Sequence, residues 1–426
     1  VTPDTKSSKM HDYRIAFFTN TYLPFVGGVP NSVELFRQYL EQLGDHVTVY
    51  APEYEGASRS EKNIRRLPAI RDISGTDFSL PLPINFRPVL DFSERLYDIV
   101  HVHHPFLLGE LGLTMARRHR VPLVFTYHTK YEDYVHYTPL DPSIAKRTII
   151  EHAVDFCNVC DLVIAPTTDI EKALRERGVE SDIEVLPTGI ELGRYQQADG
   201  ATARAKLGLP EDTPVLLHVG RLAKEKNLPY LIRACDIFLR ENKKAHVVIT
   251  GGGAEENELR ADAEASPVSD RFHFTGRQTG KDLRSLYAAA NLFVFASKSE
   301  TQGMVLVEAM AAGTPVIALE ADGVRDVMRD GENGRMLHTG ASEDDFAKAI
   351  VEALKHQDTL DAWSKGAQET AERFDMPLLA KRLHGHYEAL KALPKHRIRD
   401  KTLSFSLIRN FFESVWQDFE DRIKQL

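Results

Sequence analysis

Four charged side chains in the second half of the chain have types and spacings suited to a ligand that carries both phosphates and hydroxyls. Glu300 and Glu308 stand eight positions apart in Glu-Thr-Gln-Gly-Met-Val-Leu-Val-Glu, and Arg221 and Lys226 stand five apart in Gly-Arg-Leu-Ala-Lys-Glu-Lys. An arginine offers a planar fork and a lysine a point charge, the pairing that captures a diphosphate. Gly303 allows backbone to approach a ligand closely, and the free N–H groups of a first helical turn attract anions. A carboxylate just before such a turn and a second inside the helix can receive hydroxyls. A nucleotide-sugar combines these groups. Taken singly, each glutamate also fits a solvated loop or helix position, and the cationic cluster fits a solvated basic loop.

The flanking elements favour the functional reading. Leu292–Phe295 is an apolar run that reads as a buried strand, and Pro315–Ala318 is another. Between them Met304, Leu306, Val307 and Met310 fit a helix that Gly313 and Pro315 end. Arg221 likewise follows a strand-like run from Pro214, with a helix expected from Pro229. His246–Gly253 is a strand and turn whose three glycines fit a phosphate loop or simply a tight turn. Phe272–Gln278 is a strand with a polar exit.

The first half repeats the pattern. Arg14–Asn20 reads as the first strand, followed by a loop carrying Gly27-Gly28. The next helix carries Val33, Leu35, Phe36, Tyr39 and Leu40, with Asn31 as its cap and Glu34 reaching back as in a capping box. G-x-G-x-x-G is absent, which weighs against a classical NAD or FAD site. Strands follow at His46–Ala51, Asp98–Pro105, Val121–Lys130, Leu162–Thr167 and Ile183–Ile190. Such alternation predicts parallel sheets with ligands at the carboxyl ends of the strands. His103 and His128 fall at two such ends, where a structural and a ligand-facing role are both open. Residues 53–95 read as a long irregular stretch rich in proline and arginine. Residues 191–212 read as a polar crossing between domains.

Composition narrows the class. With 426 residues the chain needs two or three domains, and 42% hydrophobic with 27% charged residues is globular. A net charge of −9 argues against nucleic acid as a partner. No apolar run reaches membrane-spanning length and the N-terminus lacks a signal-peptide core, so the expected location is the cytoplasm. Three cysteines suit a reducing compartment, and Cys157 and Cys160 read as buried helix residues rather than metal ligands or a redox pair.

The block from Ser297 to Ala318 closely resembles the Glu-x7-Glu motif of retaining family 4 glycosyltransferases. The resemblance covers roughly residues 13–390, with Gly27-Gly28, His103, Gly220-Arg221, Lys226, Glu300 and Glu308 in family order. It implies the α/β GT-B fold, two Rossmann-like domains facing across a cleft. The expected boundaries are an acceptor-side domain at 13–195, a nucleotide-sugar domain at 213–375, and helices at 376–426 that return to the first domain or meet a membrane. By resemblance, Arg221 and Lys226 neutralise the leaving diphosphate, so neither metal nor other cofactor is needed. Glu300 holds the donor sugar hydroxyls, Glu308 the ribose hydroxyls, and His103 the sugar near the reacting carbon. Gly28, Gly220, Gly303, Met304 and Val305 approach the donor's sugar and phosphates, and Arg277 and Gln278 lie near its base. UDP-glucose is the expected donor and retention of anomeric configuration the expected outcome.

Finer likeness is to bacterial diacylglycerol glucosyltransferases. It rests on Tyr-Leu-Pro-Phe-Val-Gly-Gly-Val from Tyr22, on the stretch from His101 to Gly109, on Tyr127–Tyr137 and on Glu300-Thr-Gln-Gly. It implies a lipid acceptor met by Val29, His128, Tyr131 and Tyr134, and a protein at the inner face of the membrane. Candidate contacts with an anionic membrane surface are Arg65, Arg66 and Arg87, then Arg117, Arg118 and Arg120, then an aromatic C-terminal helix with Trp416, which can equally dock on protein. A small soluble acceptor (a sugar, sugar phosphate or glycerate) and a nucleotide-binding module without transfer activity remain the competing readings.

Overall fold

Apolar runs bounded by glycine, proline and charge build two parallel sheets. The computed structural model describes residues 12–25, 27–55, 57, 61–70, 80–81, 92, 95–130, 142–210, 212–298 and 300–393. In chain order the strands are β1 (Arg14–Phe18), β2 (His46–Pro52), β3 (Ile64–Leu67), β4 (Ala69–Ile70), β5 (Leu80–Pro81), β6 (Ile99–Val102), β7 (Leu123–Thr126), β8 (Leu162–Ala165) and β9 (Ile183–Val185). They continue with β10 (Val215–Val219), β11 (His246–Thr250), β12 (Phe272–Gly276), β13 (Leu292–Phe295), β14 (Val316–Leu319) and β15 (Gly334–Leu337). One sheet has the order β3-β2-β1-β6-β7-β8-β9 and the other β12-β11-β10-β13-β14-β15, while β4 and β5 form a separate antiparallel pair. Helices cover both faces of each large sheet, so central strands such as β10 are buried along their whole length and read as unbroken apolar runs. In each sheet the order reverses beside the first strand, between β1 and β6 and between β10 and β13. Loops leaving the carboxyl ends at such a reversal diverge and leave a crevice for ligand.

Contacts divide the described chain into two compact units. One comprises residues up to Ala165, Ile170–Val185 and those from Leu383 onward; the other comprises Pro166–Asp169 and Leu186–Arg382. The second unit thus starts ahead of the expected crossing. The stretch 191–212 is not bare linker: it forms helices Leu192–Gln196 and Gly200–Leu207, the latter capped by Asp199 accepting from the Thr202 N–H at 3.3 Å. Ala203 and Leu209 are buried in the second unit's core. Helix Met376–Ala392 begins in the second unit and ends in the first. There Tyr387 bonds His101 Nδ1 at 2.6 Å and His384 Nδ1 lies 2.9 Å from Asp45. Trp416 and the rest of the C-terminal segment lie outside the described residues.

Three local expectations change. The first helix runs Gly28–Gln42 with Gly27 as its cap and no side-chain cap, so Asn31 is inside it. Pro30 explains this: with no N–H to satisfy and φ already helical, it is tolerated in a first turn and lets the helix start early. Glu34 instead accepts from Arg37 Nε and Nη2 at 2.8 and 2.7 Å and from the Tyr22 hydroxyl. The supposedly irregular region contributes β3, which pairs in parallel with β2. Arg66 on β3 is not a surface charge. Its side chain is 5% exposed and donates to the Leu23 and Pro52 carbonyls at 2.7 and 3.2 Å and to Glu61 at 2.8 Å. Arg87 lies outside the described residues, whereas Arg118 and Arg120 are exposed. Cys157 and Cys160 are buried and unpaired.

Candidate active site

In the second unit the loops after β10 and β13 leave adjacent strand ends at the reversal point. They are tied together by the Glu225 carbonyl, which accepts from the Lys298 N–H at 3.0 Å and the Ser297 hydroxyl at 3.2 Å. This places Lys226 Nζ 2.5 Å from Glu300 Oε1, each side chain only 14% exposed. Arg221 lies on the same loop and reaches Glu225 Oε1 at 3.0 Å in a more exposed setting. Two cations and two carboxylates therefore sit within one short loop system. A diphosphate can compete for the cations while hydroxyls take up the carboxylate oxygens released.

The Glu300 loop is held on three sides. Gln302 is buried and clamps Thr188, accepting from its N–H at 2.8 Å and donating to its carbonyl at 2.7 Å. The Thr301 carbonyl accepts from Thr167 Oγ1 at 3.3 Å. A Cβ on Gly323 would come within 3.2 Å of Glu300 Cβ and O, a tight fit, and its left-handed φ of 71° also favours glycine in the neighbouring turn. Gly303 caps helix Met304–Ala311 in the left-handed conformation, φ 69°, and delivers the free N–H groups of its first turn, at Met304 and Val305, beside Glu300.

Glu308 lies one turn into that helix. Its Oε2 accepts from the Tyr287 hydroxyl at 2.7 Å, and the Tyr195 hydroxyl also donates to the carboxylate. Burial pushes the Glu308 carboxyl up from its ordinary range, against the two tyrosine bonds that pull it down. Neither tyrosine was marked by the sequence: Tyr287 stands in an ordinary helical pattern, and Tyr195 falls in the stretch that read as a crossing between domains.

Gly220 leads into the Arg221 loop above His218. His218 is buried, with Nδ1 donating to the Val294 carbonyl at 3.2 Å. A Cβ on Gly220 would lie 3.1 Å from its Nε2. The glycines after β11 have a packing reason. A Cβ on Gly251 would lie 1.8 Å from the Gly220 carbonyl oxygen, and one on Gly253 2.2 Å from that of Leu222. They let one turn lie against the backbone of the Arg221 loop, and the tight-turn reading therefore accounts for them. At the exit of β12, Gln278 donates to the Thr275 carbonyl at 2.8 Å, and Arg277 is exposed with Nε near Gly252.

In the first unit Gly28 and Val29 open the helix after β1, His103 follows β6 and His128 follows β7. The structure brings the two histidines together, with His103 Nδ1 2.9 Å from His128 Nε2. Both imidazoles are held well below the usual histidine range by burial, with neighbouring histidines adding to the effect, so both are neutral at pH 7. His103 Nε2 is buried without a partner, an orphan polar atom in the carboxyl-end loops of the sheet. His101 stacks on His103 at 4.5 Å between centroids and is fixed by Thr126 and Tyr387 at 2.7 and 2.6 Å. Alternation along β6 could have revealed His101, since residues two apart share a face. Tyr131 and Tyr134 lie outside the described residues.

The same loop region leads to a titratable group with a testable consequence. Glu110, in the first turn after the His103 loop, is pushed up to about 7 by burial, with His152 Nε2 3.6 Å away. A carboxyl raised on folding contributes stability below its unfolded value, and that contribution is lost as pH rises through about 7. Glu110→Gln is therefore expected to raise the melting temperature at pH 8 and change it little at pH 5. Equal shifts at both pH values would contradict a buried, titrating Glu110.

Among the described residues, no group of three or more His, Cys, Asp or Glu side chains has the arrangement of a metal site. Nor is any described helix long and apolar enough to cross a membrane.

Comparison with known proteins agrees with this layout. The family model "Glycosyltransferase Family 4" matches residues 26–194, and "Glycosyl transferases group 1" matches 199–370. An alpha-monoglucosyldiacylglycerol synthase of Streptococcus pneumoniae is 33% identical over 348 residues, 80% of this chain and 78% of its own length. One from Acholeplasma laidlawii is 29% identical over 381 residues, 86% of this chain and 95% of its own. Among solved structures, HepE of Anabaena in complex with UDP superposes with a TM-score of 0.71 at 20% identity, covering 88% of this chain and all of HepE. Sucrose-phosphate synthase of Thermosynechococcus elongatus gives 0.72 at 24% identity, covering 89% of this chain and 99% of that one. With its two parallel-sheet Rossmann-like units and its Lys226–Glu300 loop system, the chain belongs to the family 4 glycosyltransferases and has the GT-B fold.

Proposed function

We propose that this glycosyltransferase moves glucose from UDP-glucose to a diacylglycerol-type lipid at the membrane surface, with retention of anomeric configuration. The observation that carries the nucleotide-sugar part is the loop system at the β10/β13 reversal. There two cations, two carboxylates and a glycine-capped helix start come from the loops that leave two adjacent strand ends. Arg221 and Lys226 meet the diphosphate and stabilise it as the glycosidic bond breaks, supported by the N–H groups at Met304 and Val305. Glu300 takes the sugar hydroxyls and Glu308 the ribose hydroxyls. His103, neutral and with Nε2 unpartnered, receives or gives a hydrogen bond at the sugar. Because protein cations and backbone dipoles carry the charge, we assign the enzyme no metal. The lipid acceptor is supported by the similarity to the two alpha-monoglucosyldiacylglycerol synthases. An α-linked product from an α-linked donor is retention.

The test is transfer from UDP-glucose into diacylglycerol in mixed micelles, with the anomer assigned by NMR. An α-glucosyl lipid formed equally with and without EDTA is expected. Activity abolished by EDTA and restored by magnesium or manganese would overturn the metal-free assignment. A soluble acceptor is the second reading. It is favoured by a D-inositol 3-phosphate glycosyltransferase of Nocardia farcinica that is 34% identical over 280 residues, 62% of this chain and 60% of its own length. Transfer to inositol phosphate but to no lipid would select it.

Glu308→Gln is expected to raise the Michaelis constant for the donor by about tenfold with turnover much less changed, since ribose contacts are alike in ground and transition states. Separate measurement of the two constants checks this. A large fall in turnover with unchanged donor affinity would contradict the ribose assignment.

A further inference from the structure

Glu308 is more than a carboxylate at the ribose position; it is held between two phenols from different elements. Tyr287 lies on helix Gly280–Ala289, is fully buried and donates to Glu308 Oε2 at 2.7 Å. Its ring packs against Phe293 of β13 at 5.8 Å, and its carbonyl accepts from Thr314 Oγ1 at 2.7 Å, just beyond the helix that carries Glu308. Tyr195 comes from helix Leu192–Gln196, donates to the same carboxylate and lies 6.1 Å from the Tyr287 ring. It falls between the two stretches that the family models match, 26–194 and 199–370. Burial and the adjacent carboxylate keep both phenols protonated, so each can only donate to Glu308.

A carboxylate has about four lone-pair positions. The two phenols take up two of them and fix the plane of the group, leaving two acceptor positions. We infer that Tyr195 and Tyr287 are positioning residues that present Glu308 as a two-point acceptor for the 2′- and 3′-hydroxyls of ribose, so that the enzyme discriminates a ribonucleotide donor from its 2′-deoxy counterpart. This rests on the assignment of Glu308 to the ribose. The phenols act at a distance from the chemistry, so they set donor affinity and leave turnover nearly untouched. They also favour the charged, acceptor-only form of a carboxyl whose burial works the other way. Without them the group is freer to rotate and to hold a proton.

The experiment measures binding of UDP and 2′-deoxy-UDP to the full chain by calorimetry, for wild type, Tyr287→Phe, Tyr195→Phe and Glu308→Gln. GDP and 2′-deoxy-GDP replace them if the wild type selects guanine. Each phenylalanine variant keeps its ring and loses one charge-assisted hydrogen bond, and is expected to weaken UDP roughly five- to tenfold. The 2′-deoxy compound should weaken less, so the preference for ribose falls in both variants, as it does in Glu308→Gln. Tyr195 is only partly buried, so its variant tests the idea even if Tyr287→Phe folds poorly. Unchanged UDP affinity and unchanged ribose preference in a folded Tyr195→Phe, with the preference lost in Glu308→Gln, would overturn the clamp while sparing the ribose assignment. An unchanged preference in Glu308→Gln would overturn the assignment itself.

Discussion

Arg221→Ala is expected to lower turnover ~100- to 1,000-fold at saturating donor, roughly 3–4 kcal/mol of transition-state stabilisation. The guanidinium leaves the end of β10 on a loop whose backbone is pinned by Gly220 and the glycine turn after β11. Its carboxylate partner in the free protein is Glu225, and the pair is solvent-accessible, with side chains 54% and 38% exposed. Such a pair contributes at most about 1 kcal/mol to folding, so the variant should melt near the wild-type temperature. The loss should fall on turnover because negative charge on the leaving diphosphate grows as the bond breaks. Arg221→Lys should recover part of the rate, since a point charge replaces the fork. Near-normal turnover in Arg221→Ala would remove this residue from the diphosphate role.

The second large effect concerns the Lys226–Glu300 pair, and it separates stability from activity. At 14% exposure each, these groups have surrendered most of their hydration and depend on one another across 2.5 Å. Lys226→Met leaves the Glu300 carboxylate without its counter-charge, which is expected to cost about 3 kcal/mol of folding stability. Glu300→Gln strands the ammonium in the same way. The double variant removes both charges and should regain most of the lost stability, because the penalty lies in the stranded charge rather than in the absence of the pair. Turnover should not return, since neither a cation for the phosphates nor a carboxylate for the sugar remains. Denaturant unfolding of the four proteins alongside their turnover gives the answer. If the two stability losses simply add, the groups are not coupled. If the double variant turns over normally, they are not in the active site.

The diphosphate role of Arg221 was an expectation of the sequence, whereas the pairing of Lys226 with Glu300 was not. The strands preceding Arg221 and Glu300 are legible because parallel strands covered on both faces must be apolar throughout, and Gly303 with Gly313 marks the helix between them. Boundaries were less legible where proline overrides capping. Asn31 looked like a cap, yet Pro30 let the helix begin at Gly28. Arg66 looked like a surface charge because arginine usually is one. Only the pairing of β3 with β2 shows that it is buried against carbonyls and Glu61.

By itself, then, the sequence determined the two Rossmann-like halves, the order of the charged positions and the glycine that starts the donor-side helix. These follow from local periodicity and from chemistry carried by residues close in the chain. Tertiary structure alone decided which partners those residues take. Lys226 and Glu300 are 74 positions apart, His103 and His128 are 25 apart, and Tyr287 lies 21 before Glu308. Tyr195 is recruited from what read as a linker. Such pairings depend on strand order, since β10 lies beside β13 and β6 beside β7. No local pattern encodes that order. It is set by how whole helices and strands bury their apolar faces together.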